Sequence, residues 1–383
     1  MASNRDYSLD YLKGIGCFMM MIAHLPVANH YCPASVDNPN RCDPTAIFIS
    51  DVGSLGMLYF FAVAGVTAAI QISKYNALSL LKFFSLLGVV GFCYTAMIHP
   101  TLYMSPRFEV FQIIALGSIA VVLLETYVKP GIKGYFVLAL LVYGIKYFFD
   151  QRLPNIDGGG VLFPHRDYVP WAFLKNSEIG VNPGFPIFPW LSYFFAGYAA
   201  YFMQNKWNIF WAILFFVLAL YFYIFQHSAG LYYDKFDMTP GYFAISFSVL
   251  FISFYMGRRW FTQAPNNSDN ILLFFGQNSL MVFYVHSFGL MAGSLLFRFN
   301  QYLAWLVVFV VTYGALKLFS KIKPAKIFEN MRSWYVLALL VLMVPLIAFQ
   351  SQGAQTIVFF LEIVFGYIFV INFPLVAQLL KKN

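Results

Sequence analysis

Two ionisable residues open the first long apolar stretch of this chain, and a histidine sits deep inside it. Asp10, Lys13 and Gly14 begin the segment, and His24 follows through a run of methionines. Lipid penalises ionisable groups at such depth, so each is a candidate functional residue. Lys13 and His24 stand eleven residues apart. That is about three helical turns, so both project from one face, roughly 16 Å apart along the axis. An imidazole titrates near neutral pH and suits proton abstraction, while a cation at the membrane surface can meet an anion. The bland alternatives are a histidine satisfied by hydrogen bonds between helices and an Asp10–Lys13 ion pair that only anchors the helix, worth little.

A second membrane histidine, His286, closes a segment that runs through Gly276, Asn278, Ser279 and Tyr284. Ser279 and His286 are seven apart, two turns on one face. With His24 and His286 expected at similar depth, the pair can belong to one site. The sequence alone does not say whether their helices touch. They make a poor case for a bis-histidine haem, because no further paired histidines accompany them. His30, His99, His165 and His227 fall at span ends or in loops. Of these, His30 stands out for its closeness to His24. There is no phosphate-loop Gly-Lys-Ser/Thr, no His-Glu-x-x-His pair and no Cys-x-x-Cys, so no metal is expected.

The elements that must hold these residues follow from composition. The 383 residues are 60% hydrophobic, 20% aromatic and only 10% charged, with a mean hydropathy of +0.69. A soluble domain would carry about 25% charged residues. The expected fold is therefore all-α: a polytopic transmembrane helix bundle of about 10–12 spans, forming one integral-membrane domain over residues 1–383. The spans read as 8–28, 51–72, 77–98, 110–128, 134–149, 186–204, 208–226, 241–257, 271–291, 301–319, 335–349 and 356–379. Two of them, 134–149 and 335–349, are short.

The excess of 24 Lys and Arg over 16 Asp and Glu encodes topology and not nucleic-acid binding. With the N-terminus cytoplasmic, Lys74, Lys129, Lys133, Lys206, Arg258, Arg259, Lys321 and Lys323 all fall in inner loops. The outer segment 29–50 then holds Cys32 and Cys42, for which a disulfide or two separate thiols remain open. The outer segment 150–185 holds His165, Arg166, Asp167 and Trp171, and is either a lid or a passive connector.

Taken together, these motifs resemble the membrane acyltransferase superfamily, which includes the acyltransferase-3 and the heparan-α-glucosaminide N-acetyltransferase-like proteins. The opening with Asp10, Lys13 and Gly14 followed by His24 resembles the start of those proteins. So do Phe60 to Gly65, the Glu109–Gln112 helix with Gly117, the Pro189–Trp190 helix with Gly197, and the late Gly276–Ser279–Tyr284–His286 helix. The Pro–Trp segment favours the heparan branch. The resemblance implies transfer of an acyl group, normally acetyl, from cytoplasmic acyl-CoA to a hydroxyl or amine of an extracytoplasmic carbohydrate. It implies His24, His286 or His30 as catalytic residues, and Asp10, Lys13, Trp190, Asn278 and Ser279 as substrate-binding residues. In the animal enzyme of the heparan branch the catalytic histidine lies past the first helix, which leaves His24 and His30 in competition. Lys13 stands where the family often has Arg, and so lacks planar bidentate phosphate recognition. The implied partners are acyl-CoA, a glycan acceptor and the bilayer; a homodimer is left open. In a bacterium the location would be the inner membrane. The rival reading is a transporter or a glycan or lipid flippase. It would favour internal repeats, and the first-span motif has no counterpart in the second half.

Overall fold

The computed structural model describes residues 5–28, 52–98, 109–150, 187–225, 238–261, 270–297, 300–325, 330, 333–339 and 352–379. Every regular element among them is helical. In chain order the helices are α1 (Tyr7–Ala28), α2 (Gly56–Ile72), α3 (Ala77–Ile98), α4 (Val110–Tyr127), α5 (Gly131–Asp150), α6 (Ile187–Phe202), α7 (Asn205–Phe225), α8 (Pro240–Trp260), α9 (Ile271–Gln277), α10 (Ser279–Phe297), α11 (Gln301–Phe319) and α12 (Gln352–Leu379). Seven helical stretches among the described residues are long and apolar enough to cross a bilayer. The protein is an all-α, polytopic integral-membrane protein, as its composition requires.

Most spans agree with the sequence reading, and two differ. Segment 134–149 is a full helix of 20 residues, because the chain reverses tightly just before it. Lys129 (φ 51°) and Gly131 (φ 67°) both take the left-handed conformation there, so α5 can begin immediately after Pro130. The expected single span 271–291 is broken at Asn278 into α9 and α10. Of segment 335–349, only residues up to 339 are described, and these are helical.

The chain divides into two compact units. Unit 1 comprises residues 1–60 and 253–323; unit 2 comprises residues 61–252 and 324–383. In unit 2, small residues let helices approach closely. A Cβ on Gly197 would sit 2.6 Å from Ala62 Cα, and one on Gly65 2.8 Å from Phe194 Cα, so α2 and α6 pack backbone to backbone. Helix α4 opens with a capping box in which the Glu109 N–H donates to Gln112 Oε1 at 3.1 Å. Its partner α3 gives way at Gly91, where the Gln112 side chain lies. Helix α5 stacks Tyr143 on Phe243 of α8, with ring centroids 3.8 Å apart. Helix α7 buries the stripe Asn208, Ala212, Phe215 and Ala219 and packs Trp211 on Phe136 of α5, while most of its other large apolar residues are exposed, as befits a lipid-facing helix.

Candidate functional site

Unit 1 is built on α1. Asp6 precedes the helix and accepts from Ser8 N–H at 2.9 Å, satisfying a donor of the first turn. Along one face of α1, at alternating intervals of three and four residues, stand Asp10, Lys13, Cys17, Met20 and His24. That face meets the post-253 part of the chain. The contact is close because both sides carry glycine. A Cβ on Gly14 would lie 2.8 Å from the Leu272 carbonyl carbon. One on Gly276 would lie 2.7 Å from that of Asp10. The Cys17 thiol reaches the Phe275 carbonyl at 3.8 Å. On its other flank, α1 meets Gly53 and Gly56, where added Cβ atoms would come within 2.9 Å of Ala23 Cβ and 2.8 Å of Met19 Cβ. Phe18 stacks on Phe309 of α11, and Phe60 meets Phe283 of α10 edge-on.

Two polar groupings result. At the start of α1, Asp10 is 4% exposed. It bonds Arg5 Nε at 2.6 Å and Lys13 Nζ at 2.9 Å. Two cations thus share the carboxylate of Asp10; with Asp6 beside them, the ionised side chains Arg5, Asp6, Asp10 and Lys13 balance in charge. Arg5 is the member that the sequence reading missed; it lies five residues before Asp10, outside the apolar run. The Lys13 side chain is 26% exposed and so still meets the surroundings.

Further along, His24 Nδ1 and His286 Nε2 lie 3.1 Å apart and share a hydrogen bond, with ring centroids at 5.3 Å and an interplanar angle of 34°. The two residues are 262 positions apart in sequence. His286 is 3% exposed, and its Nδ1 donates to the Val282 carbonyl at 3.1 Å, one turn back on α10. His24 is only half-buried.

The other residues singled out in the sequence are not gathered at this pair. Asn278 is the joint between α9 and α10, and its Nδ2 donates to the Phe274 carbonyl at 2.9 Å. Ser279 opens α10, two turns and about 10 Å of helix rise before His286. Trp190 belongs to unit 2. It is fully buried there, with rings of Phe61, Tyr193 and Tyr242 around it. His30, Cys32, Cys42 and the segment around His165 and Trp171 lie outside the described residues.

Chemically, the arrangement offers a half-buried imidazole backed by a buried one, and an ion-pair cluster with a part-exposed lysine at the opposite end of the same helix. Such a layout suits proton transfer at one level and anion capture at the other. Comparison with curated proteins and with solved structures finds no match. A comparison with protein families does. The family described as "Heparan-alpha-glucosaminide N-acetyltransferase, catalytic" matches residues 5–233, more than half of the chain. The match begins at Arg5, includes Asp10, Lys13, His24 and Trp190, and ends before α8, so His286 lies beyond it. On the extent of that match, the chain belongs to the heparan-α-glucosaminide N-acetyltransferase catalytic family.

Proposed function

We propose that this protein is a membrane-embedded acyltransferase that moves an acyl group, normally acetyl, from cytoplasmic acyl-CoA to a hydroxyl or amine of an extracytoplasmic carbohydrate. The observation that supports the reading best is the hydrogen-bonded His24–His286 pair within a chain of an acetyltransferase family. A thioester is already activated, so the protein must supply only positioning and a base.

In this reading the phosphates of the donor meet Lys13 near the start of α1, whose side chain stays part-exposed although it is paired with Asp10. The acceptor O–H or N–H attacks the thioester carbonyl carbon while His24 takes its proton. The tetrahedral intermediate then collapses: the carbon–sulfur bond breaks, the CoA thiolate leaves, and the proton held on His24 is released to it or to water. The variant in which His24 itself carries the acyl group briefly uses the same imidazole as nucleophile. Either route moves an acyl group across the membrane without exporting CoA. His30 is the alternative base in the same reading.

The test is direct. Purified protein is incubated with radiolabelled acetyl-CoA, with and without a mixture of amino sugars and neutral oligosaccharides. Free CoA and labelled carbohydrate are followed together. Acceptor-dependent release of both supports the proposal. Carbohydrate movement across vesicles with no CoA released would refute it in favour of transport.

A further inference from the structure

The two histidines are not equivalent, and the hydrogen bonds around them say which does what. A carbonyl oxygen can only accept. The contact between His286 Nδ1 and the Val282 carbonyl, 3.1 Å, therefore puts the hydrogen of neutral His286 on Nδ1. Its Nε2 is then an acceptor. The partner across the 3.1 Å contact is His24 Nδ1, which must be the donor. A neutral His24 with hydrogen on Nδ1 carries its lone pair on Nε2. One backbone carbonyl of α10 thus sets, through two imidazoles in series, which nitrogen of His24 is basic. Burial points the same way: His286 is 3% exposed, whereas His24 is half-buried and can be approached.

We propose that His286 is a positioning residue that fixes the tautomer and orientation of His24, and that His24 Nε2 is the atom that accepts the proton. This rests on the acyltransferase reading for its chemistry, although the tautomer itself does not. When His24 Nε2 takes a proton, the imidazolium keeps its Nδ1–H bond to His286 Nε2. The second ring therefore holds the first in place in both protonation states. In hydrolases of the Ser-His-Asp type a carboxylate has this orienting task. Here a neutral ring has it, inside a membrane helix where a carboxylate would be costly to bury.

Two variants and one spectroscopic measurement test the idea. In His286→Asn the amide can keep the bond to Val282 but does not reach His24. In His286→Gln the amide oxygen can stand where Nε2 stood and accept from His24. The expected result for His286→Asn is a fall in kcat of about 100-fold or more, with the KM for acetyl-CoA within about 3-fold of the parent, the pattern of an impaired base. His286→Gln is expected to recover most of that loss. Equal damage from both variants, or parental turnover in His286→Asn, overturns the proposal. Independently of any activity, ¹⁵N-histidine labelling of the intact protein reads the tautomer. The His24 signals are assigned by their loss in His24→Gln. Protonated Nδ1 with unprotonated Nε2 is expected at neutral pH, and the opposite tautomer overturns the proposal even if acyl transfer is never observed.

Discussion

Replacing Gly276 by alanine should damage the protein far more than its single methyl group suggests. The added carbon would fall 2.7 Å from the Asp10 carbonyl carbon and 2.9 Å from the Gly14 nitrogen, and closer still to the Asp10 oxygen. Ordinary contact begins near 3.4 Å, so α1 and α9 must separate by about 0.7 Å or more. The obstructing atoms are backbone, and no side chain can rotate aside. Overpacking of this kind costs about 1–3 kcal/mol. At roughly 2–4 °C per kcal/mol, that lowers the melting temperature by about 2–12 °C. Activity should suffer too. The His24–His286 bond at 3.1 Å has little slack before it ceases to be one, and a misplacement near 1 Å can cost about 100-fold in rate. We expect turnover to fall at least about 10-fold. Gly257→Ala is the control: its Cβ would meet Ser8 Cβ at 3.5 Å, an ordinary contact, and its effect should stay within about 0.5 kcal/mol. The assay is thermal unfolding in detergent beside acetyl-CoA turnover. A Gly276→Ala protein that melts and turns over like the parent, or a Gly257→Ala protein equally harmed, would refute the argument.

Three further outcomes can be checked. His24→Ala should abolish acyl transfer while membrane insertion and expression stay normal; turnover near that of the parent would shift the base to His30. Lys13→Ala should raise the KM for acetyl-CoA with little change in kcat, because it weakens capture of the donor, whereas Lys13→Arg should be tolerated. Unchanged kinetics in Lys13→Ala would reduce the residue to an interfacial anchor. In sealed vesicles of known orientation, acetyl-CoA should be consumed only from the face carrying Arg258 and Arg259, with labelled carbohydrate appearing on the face carrying Cys32 and Cys42. Equal use of acetyl-CoA from both faces would contradict the transmembrane mechanism.

Hydropathy made the spans of α3 and α11 legible to the residue, because their ends are marked by polar residues and charge. It shortened α5: the expected span began at 134, while the chain reverses tightly at Lys129 and Gly131 and enters helix at once from Gly131. The break at Asn278 was hidden for the opposite reason. The short polar stretch Gln277–Ser279 sits inside an otherwise apolar run long enough for one span, and the interruption rests on one amide satisfied by its own helix. His24 and His286 each stood out by chemistry alone, because ionisable groups in lipid are conspicuous. Their contact did not. A separation of 262 residues carries no periodicity, and although Gly14 and Gly276 stood in the two motifs, nothing in the sequence says that the two glycines face each other. Asn278 and Ser279 entered the reading through the motif around them, and here they form a joint two turns from the imidazoles.

The discontinuity of unit 1 has a consequence for how the chain is made. Helix α1 leaves the ribosome well before α9 and α10, which complete its polar face and follow only after unit 2 has been synthesised through Ile252. At about 5–20 residues per second, the 262 residues between the two histidines take about 10–50 s to appear. Asp10 is provided for at once, since Arg5 and Lys13 are its near neighbours in sequence and travel with it into the membrane. For His24, the imidazole of His286 is the slow arrival. For that interval the insertion machinery has to shelter a polar ring and a glycine-lined groove in the bilayer. The site is therefore assembled late in translation, and a chain halted before α10 would present the membrane's quality control with the first imidazole and without the second.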